Sequence, residues 1–144
     1  MPEGYIGIHN AQEFDSIRYN ANANYILMND IDLSELESWT TIEILNGELD
    51  GNGYAIRGLS KINSCYEAKT ASHLALFNTA NVIKNIAVID VNISPSTDTI
   101  PDTIYGSPVK IGAIAIFAQS LYNCYSTGNI SLDNADLNLR YAYI

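Results

Sequence analysis

One short unit, repeated, limits what this chain can fold into more than any other feature. Within Gly47–Leu59 the residues Leu49-Asp50-Gly51-Asn52-Gly53-Tyr54-Ala55-Ile56-Arg57-Gly58-Leu59 give an apolar position, a tight corner and a second apolar strand. The same order returns in Val82-Ile83-Lys84-Asn85-Ile86-Ala87-Val88, and again in Leu121-Tyr122-Asn123-Cys124-Tyr125-Ser126-Thr127-Gly128-Asn129-Ile130. Asn and Gly suit such corners because they enter the positive-φ region at low cost. No single unit carries enough apolar surface to bury itself. Stacked units share a core, which is the logic of a solenoid.

The rest of the chain is read against that unit. Asn10 as N-cap, Glu13 three residues on, and Ala11, Phe14 and Ile17 on one face predict a short helix over residues 10–19. Short strands are expected from residue 25 to 133: Tyr25–Met28, Ile31–Leu33, Thr41–Leu45, Tyr54–Leu59, Leu74–Phe77, Val82–Ile83, Ile86–Ile89 and Val91–Ile93. Asn46-Gly47 is expected to turn the chain. Residues 61–72 read as a polar connection. The stretch 94–108, with Pro95, Pro101 and Pro108, reads as a long loop insertion, which is either a binding loop or a tolerated excursion. Asn123 follows Asn85 at an offset of 38 residues. Without the insertion that offset shrinks to roughly the 20–25 residues of one solenoid coil.

Alternation predicts that Ile86 and Val88 face one side, and that Val91 and Ile93 do so again past a corner at 89–90. The corner residues Asn52, Asn85 and Asn123 are candidates for structural positions. Stacked Asn side chains there would hydrogen-bond along the axis and accept a left-handed backbone. A β-sandwich would need more regular hairpin turns.

Composition narrows the function classes. One domain over residues 1–144 is expected from length. Seven basic against sixteen acidic residues give a net charge of −9, which repels phosphate backbones and anionic membranes. No nucleic-acid partner and no membrane insertion are therefore expected. The longest apolar runs, such as 111–118, are too short to span a bilayer. The start of the chain lacks the pattern of a signal peptide, so the chain either stays inside the cell or is a piece of a longer exported protein. Cys65 and Cys124 have no zinc-ligand spacing and read as small apolar groups.

With those residues in view, the chain resembles bacterial surface proteins carrying GLUG-type repeats. The likeness rests on Tyr25–Leu33, Leu49–Leu59, Ile83–Ile86 and Asn123–Ile130, in that order, over about residues 8–131. The segment 111–115, Ile-Gly-Ala-Ile-Ala, departs from the family's usual Gly-Gly-Leu-Val-Gly. The resemblance implies an all-β, right-handed parallel β-helix of the pectate-lyase-like superfamily. It also implies an extracellular or cell-surface setting, and adhesin-like roles with no defined ligand. The helix at 10–19 would then cap the first coil. The alternating segment 137–144 would pair with another chain or lead into further coils.

Candidate chemistry is sparse. Asp30 and Asp32, two apart on a strand, with Asp50 on the next coil, form a candidate Ca²⁺ ridge or an acid pair for glycoside hydrolysis. The alternative is that each Asp holds a corner by hydrogen-bonding the backbone. Tyr105, Tyr122 and Tyr125 are candidate ligand-binding positions, since an aromatic face stacks on sugars or anchors protein partners. The isolated His9 and His73 fit no catalytic spacing, no nucleophile elbow occurs, and Gly51-x-Gly53 lacks the rest of a phosphate loop. The expected function is a non-enzymatic surface module that binds glycan or matrix protein, needing no cofactor other than an optional Ca²⁺. The alternatives are a carbohydrate-active enzyme, or a remnant of one, acting on acidic polysaccharide, and a structural stalk that self-associates through its C-terminal strand.

Overall fold

A computed structural model describes residues 3–63, 72–93 and 109–130. In these residues the chain forms β1 (Tyr5–Ile8), α1 (Ala11–Asp15), β2 (Asn24–Leu27), β3 (Ile31–Asp32), β4 (Trp39–Thr40), β5 (Ile42–Asp50), β6 (Ala55–Arg57) and β7 (Ile62–Asn63). It continues with β8 (Ser72–Leu74), β9 (Phe77–Lys84), β10 (Ala87–Ile93), β11 (Val109–Ile111), β12 (Ala115–Tyr122) and β13 (Tyr125–Ile130). The loop at 94–108, Tyr105, Cys65 and the segment 137–144 lie outside the described residues.

The protein is mostly β, and its described strand pairs are all parallel. One sheet has the order β1-β2-β5-β9-β12 and a second the order β13-β10-β6-β3. Two-stranded sheets β4-β7 and β8-β11 complete the set, and none of the four closes on itself. Parallel pairing puts equivalent residues in columns. Tyr25, Leu49, Ile83 and Leu121 form one such column, and Ile31, Ile56, Val88 and Ser126 another. All members of both columns except Leu121 and Ser126 are buried. The core is therefore built by like residues lying on like, where each rung shields the one before it from water.

Three local expectations need correction. The helix is split: α-helical hydrogen bonding ends at Asp15, and Ser16–Tyr19 continue as a tighter 3₁₀ turn. Its start is capped as the sequence suggests, with Asn10 Oδ1 accepting from Glu13 N at 2.8 Å. Glu13 reaches back to His9 N (2.7 Å), one residue beyond the usual capping-box donor. Asn46-Gly47 makes no turn: β5 continues through it, with a shift of register against β9 between Leu45 and Glu48. A Cβ at Gly47 would lie 1.9 Å from Ala23 O, so the glycine serves the close approach of two backbones. Both Asn46 N and Gly47 N donate to Ala21 O.

The third correction concerns register. The strand expected at Leu74–Phe77 is broken, β8 ending at Leu74 and β9 starting at Phe77. Since Ile111 pairs with Leu74 and Ala115 with Phe77, both this run and the apolar run at 111–117 span a bend between two sheets. In β10, the corner at 89–90 takes the form of a bulge at Asp90, whose φ is 55°. Val88, Val91 and Ile93 are buried on either side of it.

Phe14 and Ile17 are fully buried, so the helical segment covers the core. The Phe14 ring lies 5.4 Å from that of Trp39 and 6.0 Å from that of Phe77. Arg18 stands over Trp39 and is held by Asp15 (2.6 Å) and Thr40 O (2.8 Å). No helix among the described residues is long and apolar enough to cross a membrane.

Candidate functional site: the outer face of the five-stranded sheet

The corners account for the acidic candidates. Asp50 Oδ1 accepts from Asn52 N (2.8 Å) and from Asn85 Nδ2 (3.1 Å). Asn85 Oδ1 in turn accepts from Asn123 Nδ2 at 2.7 Å. Asp50, Asn85 and Asn123 thus form a ladder along the stacking direction. Both Asn residues have positive φ, at 58° and 53°. Asn52 shares that backbone geometry (φ 54°), but its amide reaches the preceding rung at Leu27 O. The corner at 51–54 is two residues longer than those at 85–86 and 123–124, which diverts Asn52 from the ladder.

Asp30 accepts from Ala55 N at 2.9 Å and stands 3.8 Å from Arg57. Asp32 accepts from Ser34 N and Oγ and so starts the 3₁₀ turn Leu33–Glu35. Those hydrogen bonds hold its carboxyl below the usual carboxylate range. The three Asp side chains are therefore engaged at separate backbone sites, and the structure does not gather them into one ridge. Among the described residues no group of three or more His, Cys, Asp or Glu stands together at metal-binding range.

The outer face of the five-stranded sheet carries a different arrangement. Its outward columns include Ile44–Thr79–Phe117 and Asp50–Lys84–Tyr122, and between them Asn46, Asn81 and Gln119 line one groove, Asn46 standing at the register shift of β5. Around Asn46, Thr79, Asn81, Phe117 and Gln119 lies an open groove of about 540 Å³ with no charged residue in its lining. Its amides are ordered: Asn46 Nδ2 donates to Asn22 Oδ1 at 2.7 Å, and Asn81 Nδ2 donates to Asn46 O at 3.1 Å. Phe117 is half exposed, with Lys110 Nζ 4.5 Å from its ring centre and the His73 ring at 6.5 Å.

Beside the groove lies a charged row. The Tyr5 hydroxyl donates to Glu48, and Lys84 Nζ lies 3.6 Å from the same carboxylate. The hydrogen bond to Glu48, with some burial and the carboxylate's charge, raises the Tyr5 hydroxyl above its ordinary range. Burial pulls Lys84 downward, but Tyr5, Glu48, Tyr122 and Asp50 together outweigh it and raise the ammonium. Glu48 and Lys84 thus form an ion pair to which the Tyr5 hydroxyl adds a hydrogen bond.

Of the tyrosine candidates, Tyr122 lies on β12 and Tyr125 on β13, so the corner Asn123-Cys124 places them on different sheets. Both are half exposed or more. The Cys124 thiol lies 3.1 Å from Tyr122 O and 3.6 Å from Ile83 O, and burial raises its pKa above the free-thiol range. Sequence reasoning missed the groove. The available signal was the spacing: the 38-residue offset from Asn85 to Asn123 also carries Asn81 to Gln119 and Thr79 to Phe117.

No protein-family model matches the chain, and comparison with curated proteins and with solved structures finds no match.

Proposed function

We propose that this chain is a right-handed parallel β-helix module of a bacterial cell-surface protein of the GLUG-repeat kind, displaying its outer sheet face for non-enzymatic adhesion to glycan or matrix protein. The observation that carries this reading is the uncharged, amide-lined groove beside the half-exposed Phe117. Amide groups supply paired donors and acceptors that match vicinal hydroxyls or a peptide backbone, and an aromatic edge supplies an apolar contact. A flat face built from rigid strands holds those groups in place without an ordering cost at binding. The stacked columns and the Asp50–Asn85–Asn123 ladder support the coil geometry.

The test is a screen of the purified chain against neutral and acidic glycans and matrix proteins, with Ca²⁺ and with chelator. Saturable binding to one class is expected, and Phe117→Ala and Asn81→Ala are expected to weaken it by about tenfold each, or about 1.4 kcal/mol. Absence of binding in every arm, or binding indifferent to both substitutions, would remove the groove from this role. Chelator sensitivity would bring a cation into the reading.

A further inference from the structure

The last strands of both large sheets form an edge unlike the opposite end. In the column Leu49–Ile83–Leu121 the first two side chains are fully buried, whereas Leu121 is 48% exposed. Phe117, Tyr122 and Tyr125 are 51, 50 and 62% exposed. β12 and β13, eight and six residues long, each have a strand partner on one side only among the described residues. From Ile111 to Ile130 there is no Asp, Glu, Lys, Arg or His, in a chain of net charge −9. Natural edge strands are usually short, charged or covered. This one is long and has no charged residue within its strands, with exposed apolar groups at Phe117, Leu121, Tyr122 and Tyr125 and Lys110 of the neighbouring β11 over Phe117.

We infer that this edge is the docking surface for a second copy of the chain, two copies meeting end to end about a twofold axis. Charge selects the partner. A basic partner would be met by acidic residues, and none lies on the edge. Two copies of charge −9 repel over most of their surfaces, and the β12–β13 edge is where they approach without that penalty. Topology selects the symmetry. The edge strands at the other end are short, β1 with four residues and β3 with two, so head-to-tail stacking would leave most of β12 and β13 unpaired, whereas like end meets like over its full length. A twofold axis sets β12 against its own copy in the antiparallel sense, in which backbone donors and acceptors pair, and the assembly closes at two chains. A single cross-section is a small interface, so the dimer is expected to be weak, with a dissociation constant on the order of micromolar.

Sedimentation equilibrium of the full chain over roughly three decades of concentration tests this. A monomer–dimer equilibrium is expected. Leu121→Lys and Tyr125→Lys should each raise the dissociation constant at least about tenfold, while Ile6→Lys at the far end should leave it unchanged. Circular dichroism shows which variants fold, and Tyr125, the more exposed, serves if Leu121→Lys does not. Hydrogen exchange should show the backbone amides of 115–130 slowing as concentration rises. A chain that stays monomeric throughout overturns the inference. So does a dimer broken by Ile6→Lys and not by the edge variants, or growth beyond two chains. Amides of 115–130 protected equally at every concentration in a monomer would give the edge to residues 131–144 of the same chain, and overturn it too.

Discussion

The two ends of the sheet stack are made from the same kind of strand and finished in opposite ways. At the first, the helical segment that follows β1 packs into the core, burying Phe14 against Trp39 and Phe77 and anchoring Arg18 on Asp15 and Thr40. At the last described rung, Leu121 occupies the column of Leu49 and Ile83 with half its surface in water. Column position therefore does not decide burial by itself; the rung above decides it. A residue at an inward position contributes fully only when something lies on both sides of it.

The sharpest way to break this contrast is to truncate apolar groups under the helical segment and in mid-stack. Phe14→Ala should cost about 3–5 kcal/mol, and Ile83→Ala in mid-stack about 2–5 kcal/mol, read from urea unfolding midpoints. If Phe14→Ala costs under about 1 kcal/mol, the helical end is no better packed than the open one. The ladder gives the next effect. Asn85→Ala removes two side-chain hydrogen bonds and leaves a Cβ-bearing residue without compensation at φ 58°, so about 2–3 kcal/mol is expected. Asn123→Ala removes one such bond and should cost about 1–2 kcal/mol. Equal losses would show that the ladder is not cumulative.

A pH titration probes the bend between the sheets. His73 is buried, and burial, with Lys110 nearby, lowers its pKa despite the 2.6 Å contact of Nδ1 with Asn78 Oδ1. A depressed folded-state value means that the unfolded chain takes the proton first. His73 therefore contributes a stability that is complete above the ordinary histidine value of about 6.5 and is lost as pH falls from there toward the folded-state value. The slope should not exceed about 1.4 kcal/mol per pH unit, and His73→Gln should flatten it in melting curves between about pH 7.5 and 5.5. The smallest effect is expected at the open end: Leu121→Ala, measured at concentrations where the chain is monomeric, should cost about 1 kcal/mol or less.

Much of the fold was readable before any coordinates. The Asn-Gly corners, the alternation through Val88, Val91 and Ile93, and the Asn10–Glu13 cap are local features, encoded in a few adjacent residues. The Asn46-Gly47 turn was misread because the local rule for a turn and the distant demand for close backbone contact at Ala23 ask for the same residue. The three Asp candidates show the same limit. Asp32 and Asp50 find Ser34 and Asn52 two residues on, as a local corner would have it, but the partners Ala55 of Asp30 and Asn85 of Asp50 are chosen by corner lengths and register. The groove was missed because Asn46, Asn81 and Gln119 become neighbours only once parallel register is set.

By itself the sequence determined a chain of short strands with left-handed corners, a capped helical start and a surface of strong negative charge, since propensity, capping and charge are local or additive. The tertiary structure alone decided which equivalent residues align in columns, which inward positions are shielded, and that an uncharged edge and an amide-lined groove stand apart from the charged remainder. Those depend on pairings between residues tens of positions apart, where backbone register, through the hydrogen bonds of parallel strands, overrides what any one segment prefers.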